Sequence, residues 1–163
     1  MVWSDPLAMP AFVDHVSIPV ADFERSAAFY DAVLATLGLR RRKQREGAIG
    51  WGPDDALPPI FWIHAREAGH ATSGIGLHIG FRAKDRAEVH AFHETALRMG
   101  ATDAGAPGVR PQYTAGFYGC FVLDLDGFKI EAVVREGLPH GTSWFCHPAR
   151  LGSPEMGRSC CAS

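Results

Sequence analysis

No apolar run in this 163-residue chain approaches the roughly 20 residues a helix needs to cross a bilayer. The opening stretch, MVWSDPLAMPAF, has neither the basic start nor the continuous apolar segment of a secretory signal, so a cytoplasmic location is expected. Cysteine is scarce, at four residues, and its spacing builds no disulfide framework. Cys120 falls in a strand-like run, while Cys146, Cys160 and Cys161 crowd the C-terminal end. Cys146-His147 and Cys160-Cys161 lack the matched ligand pairs of a structural zinc site. An excess of either charge is also missing. Lys and Arg number 16 against 18 Asp and Glu, a net −2, which provides no broad cationic surface for nucleic acid or anionic lipid. The one basic cluster, RRRK at Arg40 to Lys43, reads as a solvated turn or strand edge.

With 47% hydrophobic and 21% charged residues, the chain has the composition of a folded domain, or of two small modules sharing one core. It also repeats itself. Setting His15 against His78, an offset of 63 residues, aligns Asp22 with Asp85, Phe29 with Phe92 and Leu34 with Leu97. Each half begins with a histidine-bearing strand, FVDHVSIPV or GIGLHIGFRA, followed by a helix, ADFERSAAFYDAVLATLG or KDRAEVHAFHETALRMG. Asp22 and Asp85 are placed to cap those helices by accepting hydrogen bonds from first-turn amides. Gly38 and Gly100 supply the left-handed residue that commonly ends a helix. Apolar stripes at the 3.6-residue period (Phe23, Ala27, Tyr30, Leu34 and Leu37, then Val89, Phe92, Ala96 and Met99) mark the packing faces.

Shorter extended runs follow each helix: LRRRKQRE, AIGWG and PIFWIHAR, then TDAG, GFYGCFVLD and FKIEAVVRE. DLDG at Asp124 to Gly127 is a hairpin turn, and GAPGVRPQYTAG from Gly105 to Gly116 reads as a long ordered loop over a site. The expected fold is α+β, βαβββ written twice, with the helices outside. Module 1 covers about residues 12–66, module 2 about 75–135, and a partly ordered tail with Trp144 and Phe145 as anchors covers 136–163.

A histidine spent on an inward strand position is either a hydrogen-bonded core residue or a metal ligand. His90 and His93, one turn apart on the second helix, read as a surface pair. Glu131, between Ile130 and Ala132, is costly to bury unless something compensates its charge.

The doubled pattern, with DHVSIPVADFERSAAFY, GLHIGFRA and FVLDLDGFKIEAV, resembles the vicinal oxygen chelate superfamily of glyoxalases, bleomycin resistance proteins and extradiol dioxygenases. The resemblance implies that His15, His78 and Glu131 bind one divalent ion (Fe, Mn, Ni or Zn). Two imidazoles and a carboxylate with open positions suit such a centre. It also implies that the modules form a curled mixed-sheet cup, that a small oxygen-bearing substrate is chelated to the ion, and that the protein is a homodimer; charge and hydropathy add that no membrane or nucleic-acid partner is expected. Glyoxalase I-like members carry a second carboxylate on the fourth strand, where this chain has Trp62, with His64 on the same face. That departure counts against glyoxalase I activity itself and leaves His64 and Tyr113 as candidate catalytic groups.

GVRPQYTAGFYG is similar to the RPHYHPGYY-like stretch of a small bacterial group within the superfamily, with Gln112 and Thr114 replacing its histidines. Arg110 is expected to clamp a carboxylate or phosphate, and Trp62, Phe117 and Tyr118 to line the substrate site. The alternative reading is a metal-free binding protein of the bleomycin-resistance type, with Trp51, Trp62, Phe117 and Tyr118 stacking on its ligand.

Overall fold

The computed structural model describes residues 13–53, 58–67 and 76–137. The elements run β1 (Val16–Val20), α1 (Phe23–Ala35), β2 (Arg40–Arg45), β3 (Ala48–Gly52), β4 (Phe61–Ala65), β5 (His78–Arg82), α2 (Arg86–Arg98), β6 (Thr102–Val109), β7 (Phe117–Leu123) and β8 (Lys129–Arg135). This is βαβββ twice. The first sheet has the order β1-β4-β3-β2 and the second β5-β8-β7-β6. In both, the opening strand pairs in parallel with the last one and the remaining pairings are antiparallel.

The helices form where the caps and stripes place them. Asp22 accepts from the Arg25 amide and Asp85 from the Glu88 amide, so each helix has one otherwise orphaned donor satisfied at its start. Gly38 and Gly100 lie at φ 72° and 98°, a backbone that side-chain-bearing residues adopt only with strain. Phe29 and Phe92, the repeat-related aromatics, are fully buried, each contributing about 1.5–3 kcal/mol through area removed from water. The stripes hold in both helices: Leu34 is buried in α1, and Val89, Phe92 and Ala96 are buried in α2 with Met99 packed against them, while Leu97, off the stripe, is 38% exposed. His93 and Thr95 are buried beside that stripe in α2.

One core joins the modules. It gathers Ile18, Val20, Tyr30, Val33, Trp51 and Phe61 from the first with Phe81, Val89, Phe92, Cys120, Ile130 and Ala132 from the second, and α1 packs on α2. Phe61 and Phe81 meet edge to face across the boundary, 5.3 Å between centroids. Polar ties reinforce it. The buried Tyr30 hydroxyl donates to Asp124 Oδ2 at 2.5 Å, and the Ala21 amide donates to Asp126 Oδ1 at 2.9 Å. Asp124 Oδ1 meanwhile accepts the amides of Asp126 and Phe128, closing the DLDG turn, with Gly127 at φ 85°. The hairpin turn is therefore also a staple between modules.

Each sheet turns one face to this core and leaves the other open, and the two sheets do not close on one another within the chain. Two local expectations are corrected. Strand β6 extends to Val109, so Gly105 to Val109 is an irregular, bulged strand paired with β7 rather than loop, and the loop is shortened to residues 110–116. Trp51 is fully buried with its indole N–H donating to Asp31, so it is a core residue and cannot stack on a ligand. Trp144, Phe145, His70, His140, His147, Cys146, Cys160 and Cys161 fall outside the described residues.

Candidate metal centre

Side chains alternate along a strand, so the face of each residue follows from its buried neighbours. On β8, Ile130, Ala132 and Val134 enter the core, which puts Lys129, Glu131, Val133 and Arg135 on the open face. On β5, Phe81 enters the core, which puts His78 and Gly80 beside Glu131. On β7, Cys120 and Val122 point inward, leaving Phe117, Gly119 and Phe121 on the open side.

There His78 Nε2 lies 2.7 Å from Glu131 Oε2. Although it belongs to the open face, Glu131 is only 5% exposed, and its Oε1 has no hydrogen-bond partner. Burial raises its carboxyl above the usual carboxylate range, against the opposing pull of His78, Arg135 and Lys129. Two glycines make room for it. A Cβ on Gly80 would stand 3.2 Å from Oε2, and one on Gly119 would stand 3.3 Å from Oε1. A pocket of about 310 Å³ opens over the pair, walled by Gln112, Tyr113, Thr114, Phe117 and Arg135. Tyr113 is half exposed, its ring 4.9 Å from Phe117 and 6.3 Å from Phe121.

The other expected site residues lie elsewhere. His15 falls one residue before β1, exposed, with Nδ1 2.7 Å from its neighbour Asp14. It belongs to the first sheet's side of the chain, and among the described residues no third histidine, cysteine or carboxylate joins His78 and Glu131. Trp62 and His64 share the open face of the first sheet, rings stacked at 6.4 Å, with the Arg45 guanidinium 5.3 Å from the Trp62 ring. Arg110 packs over Phe121 at 5.7 Å and donates to the Ala106 carbonyl, at the rim of the pocket rather than in its wall.

Tyr118 is a correction. Phe117 and Tyr118 are consecutive on a strand and face opposite ways, so only Phe117 lines the pocket. The Tyr118 hydroxyl meets His90 Nε2 at 2.8 Å and Arg86 covers its ring at 4.3 Å, on the α2 side of the sheet. His93, expected at the surface, is buried and bonds Asp103 at 2.9 Å. Sequence reasoning missed Arg135, Gly80 and Gly119. The first was within reach, since Arg135 is four residues beyond Glu131 and therefore on the same face of β8.

Residues 12–132 match the family model for the glyoxalase/bleomycin resistance protein/dioxygenase superfamily. A glyoxalase/bleomycin resistance protein from Albidiferax ferrireducens T118 is similar at 32% identity, over 74% of this chain and 95% of that one, with a TM-score of 0.64. A family enzyme from Burkholderia phytofirmans PsJN shares 22% identity over 76% of this chain and 98% of its own, TM-score 0.58. A fosfomycin resistance protein from Mesorhizobium loti shares 18% over 77% and 93%, TM-score 0.54. The last two likenesses concern the fold alone. Among curated proteins, none matches this chain.

Proposed function

The chain belongs to the glyoxalase/bleomycin resistance protein/dioxygenase superfamily, and from that premise and the His78–Glu131 pair we propose that it is a divalent-metal-dependent enzyme acting on a small oxygen-bearing substrate. One observation carries the reading: a carboxylate oxygen, Glu131 Oε1, is buried without a partner beside an imidazole, in a hollow kept open by two glycines. An unpaired buried carboxylate is costly, and a cation would remove the cost while leaving room for a ligand. Imidazole and carboxylate are the donors that Fe(II), Mn, Ni or Zn centres accept.

His78 and Glu131 supply two ligands from one copy of the chain. We assign the third to His15 of a second copy in a homodimer, because His15 is exposed, stands one residue before the first sheet's opening strand, and does not reach the pair within its own chain. The same association would bring Trp62 and His64, on that sheet's open face, over the pocket. When bound, the ion supplies Lewis acidity toward two substrate oxygens. Tyr113 would donate a hydrogen bond to a substrate oxygen, and His64 of the second copy would hold or release a proton opposite it. Phe117 excludes water from one wall, and the lack of a carboxylate at Trp62 disfavours glyoxalase I chemistry itself.

The test is metal content and complementation. Untagged protein should copurify with or take up one divalent ion per site, and His15→Ala and Glu131→Gln should each abolish tight binding. Mixing the two variants should restore one intact site per dimer. Variants that bind metal as wild type does, or mixtures that recover nothing, would remove the shared site. A second reading has its own support. The direct 2.7 Å contact between His78 and Glu131 satisfies Oε2 without a cation, as a metal-free binding protein would need. Such a protein would show no specific metal uptake and would hold its ligand on Phe117 and Trp62.

A further inference from the structure

We propose that the pocket beside Glu131 takes a small bifunctional anion: one end presents oxygens to the His78–Glu131 pair, a flat apolar body lies on Phe117 and Tyr113, and the far end carries a carboxylate or phosphonate held by Arg135. Only the first of these ends rests on the metal-dependent reading. The anion seat is carried by separate observations.

The first is charge. Lys129 Nζ stands 4.5 Å and the Arg110 guanidinium 5.7 Å from the Phe121 ring, and the Arg135 guanidinium stands 5.1 Å from the Phe117 ring. Among the described residues that line the pocket or touch these rings, Glu131 is the only carboxylate. A chain whose total charge is −2 thus gathers three cations around one aromatic floor. Cations beside low-dielectric walls concentrate the field toward an anionic ligand.

The second is the placement of Arg135. It lines the pocket itself, and NH1 donates to Thr114 Oγ1 at 2.9 Å while the guanidinium plane is steadied by Phe117. A positioned guanidinium matches a carboxylate or phosphonate in two-pronged fashion, which a lysine does not.

The third is spacing. Glu131 and Arg135 are four residues apart on one face of β8, about 13 Å between their Cα atoms at an ordinary strand rise. The stretch between them is kept clear by Gly119, which pairs with Val133. A Cβ there would come within 3.1 Å of the Phe117 ring and 3.0 Å of the Ala132 carbonyl. The space of about 310 Å³ is at the small end of ligand pockets. It fits a body of about one ring with a charged group at one end.

Full-length isotope-labelled protein titrated with benzoate and phenylphosphonate, and with benzamide and benzyl alcohol as neutral counterparts, tests this by NMR, in chelator and again with zinc. The acids should shift the Phe117 and Tyr113 signals saturably and bind at least about tenfold more tightly than the neutral probes in both conditions. Arg135→Gln should bring acids and neutral probes to parity, and Arg135→Lys should restore part of the preference. Arg86→Gln, on the other side of the same sheet, should leave it unchanged. Acids and neutral probes binding alike, no probe moving those signals, or a preference that survives Arg135→Gln would each overturn the proposal. Anion preference without any zinc response would sink the metal reading and keep the anion seat. A zinc response without anion preference would do the reverse.

Discussion

Replacing Glu131 by glutamine reverses a stability ranking according to whether metal is present. In chelator, the wild-type protein bears a carboxylate that is 5% exposed with one oxygen unpartnered. Leaving such a group unsatisfied costs about 1–3 kcal/mol, and more when it is charged. Glutamine keeps the shape and the hydrogen bond to His78 but has no charge to desolvate, although its amide inherits the unpartnered position. A net gain of about 1 kcal/mol is expected for the metal-free variant, a rise of about 2–4 °C in Tm. With free metal at about 100 times the wild-type dissociation constant, the wild-type protein gains about 2.7 kcal/mol. A variant whose affinity is about 100-fold weaker gains only about 0.4 kcal/mol under the same conditions. The variant should therefore lead by about 1 kcal/mol without metal and trail by about 1.3 kcal/mol with it, read by thermal denaturation in chelator and in added divalent ion. The pH dependence carries the same sign. Burial raises the Glu131 carboxyl above its ordinary 4.5, so between that value and its folded value the native chain holds a proton the unfolded chain has lost. Stability of the metal-free wild type should fall as pH rises through that window. The burial-raised Asp124 acts in the same direction in both proteins, so the difference between the two curves isolates Glu131. Equal metal-induced stabilisation of both proteins would refute the assignment of Glu131 as a ligand.

Gly119→Ala places a Cβ 3.0 Å from the Ala132 carbonyl and 3.3 Å from Glu131 Oε1, so metal affinity should drop at least tenfold with the fold retained, measured by calorimetry beside circular dichroism. Tyr30→Phe leaves Asp124 Oδ2 without the Tyr30 donor at the module boundary. A loss of about 1–3 kcal/mol should appear as a lower urea midpoint, and an unchanged midpoint would show that the staple adds no stability. Acidification should weaken the His93–Asp103 tie. The hydrogen bond from His93 holds the Asp103 carboxyl below the usual range, so its contribution is present above 3.8 and is lost as pH falls through the lower folded value. His93→Ala should flatten that part of the acid denaturation curve.

Much of this architecture was legible in the chain, because duplication writes its signals twice. Asp22 and Asp85, Gly38 and Gly100, and Phe29 and Phe92 each support the other's reading, and all six occupy the structural positions their chemistry implies. Repetition also misled. His15 aligns with His78, yet His78 opens β5 and meets Glu131 while His15 falls before β1 and is exposed. Alternation, applied strictly, would have put Tyr118 behind the sheet and Arg135 in the pocket. Neither the extent of β6 nor the place of His15 was readable: bulges let a Gly- and Pro-containing stretch pair with β7, and β1 begins only at Val16. Which sheet covers which is set by contacts between modules, and short-range pattern does not encode it.

The exposed strand β2 has a bearing on how copies of this chain meet. It is the outermost strand of its sheet, and RRRKQR puts five cationic side chains along six exposed residues. Two such borders brought side by side would align like charges at strand spacing, where opposed like charges repel. Zipping by backbone ladder along β2 is thereby discouraged, and a growing ribbon of stacked chains has no starting seam there. The other border strands, β1, β5 and β6, carry no such run. The basic run, which lines no part of the pocket, marks this border as one along which a second copy's β2 would not zip.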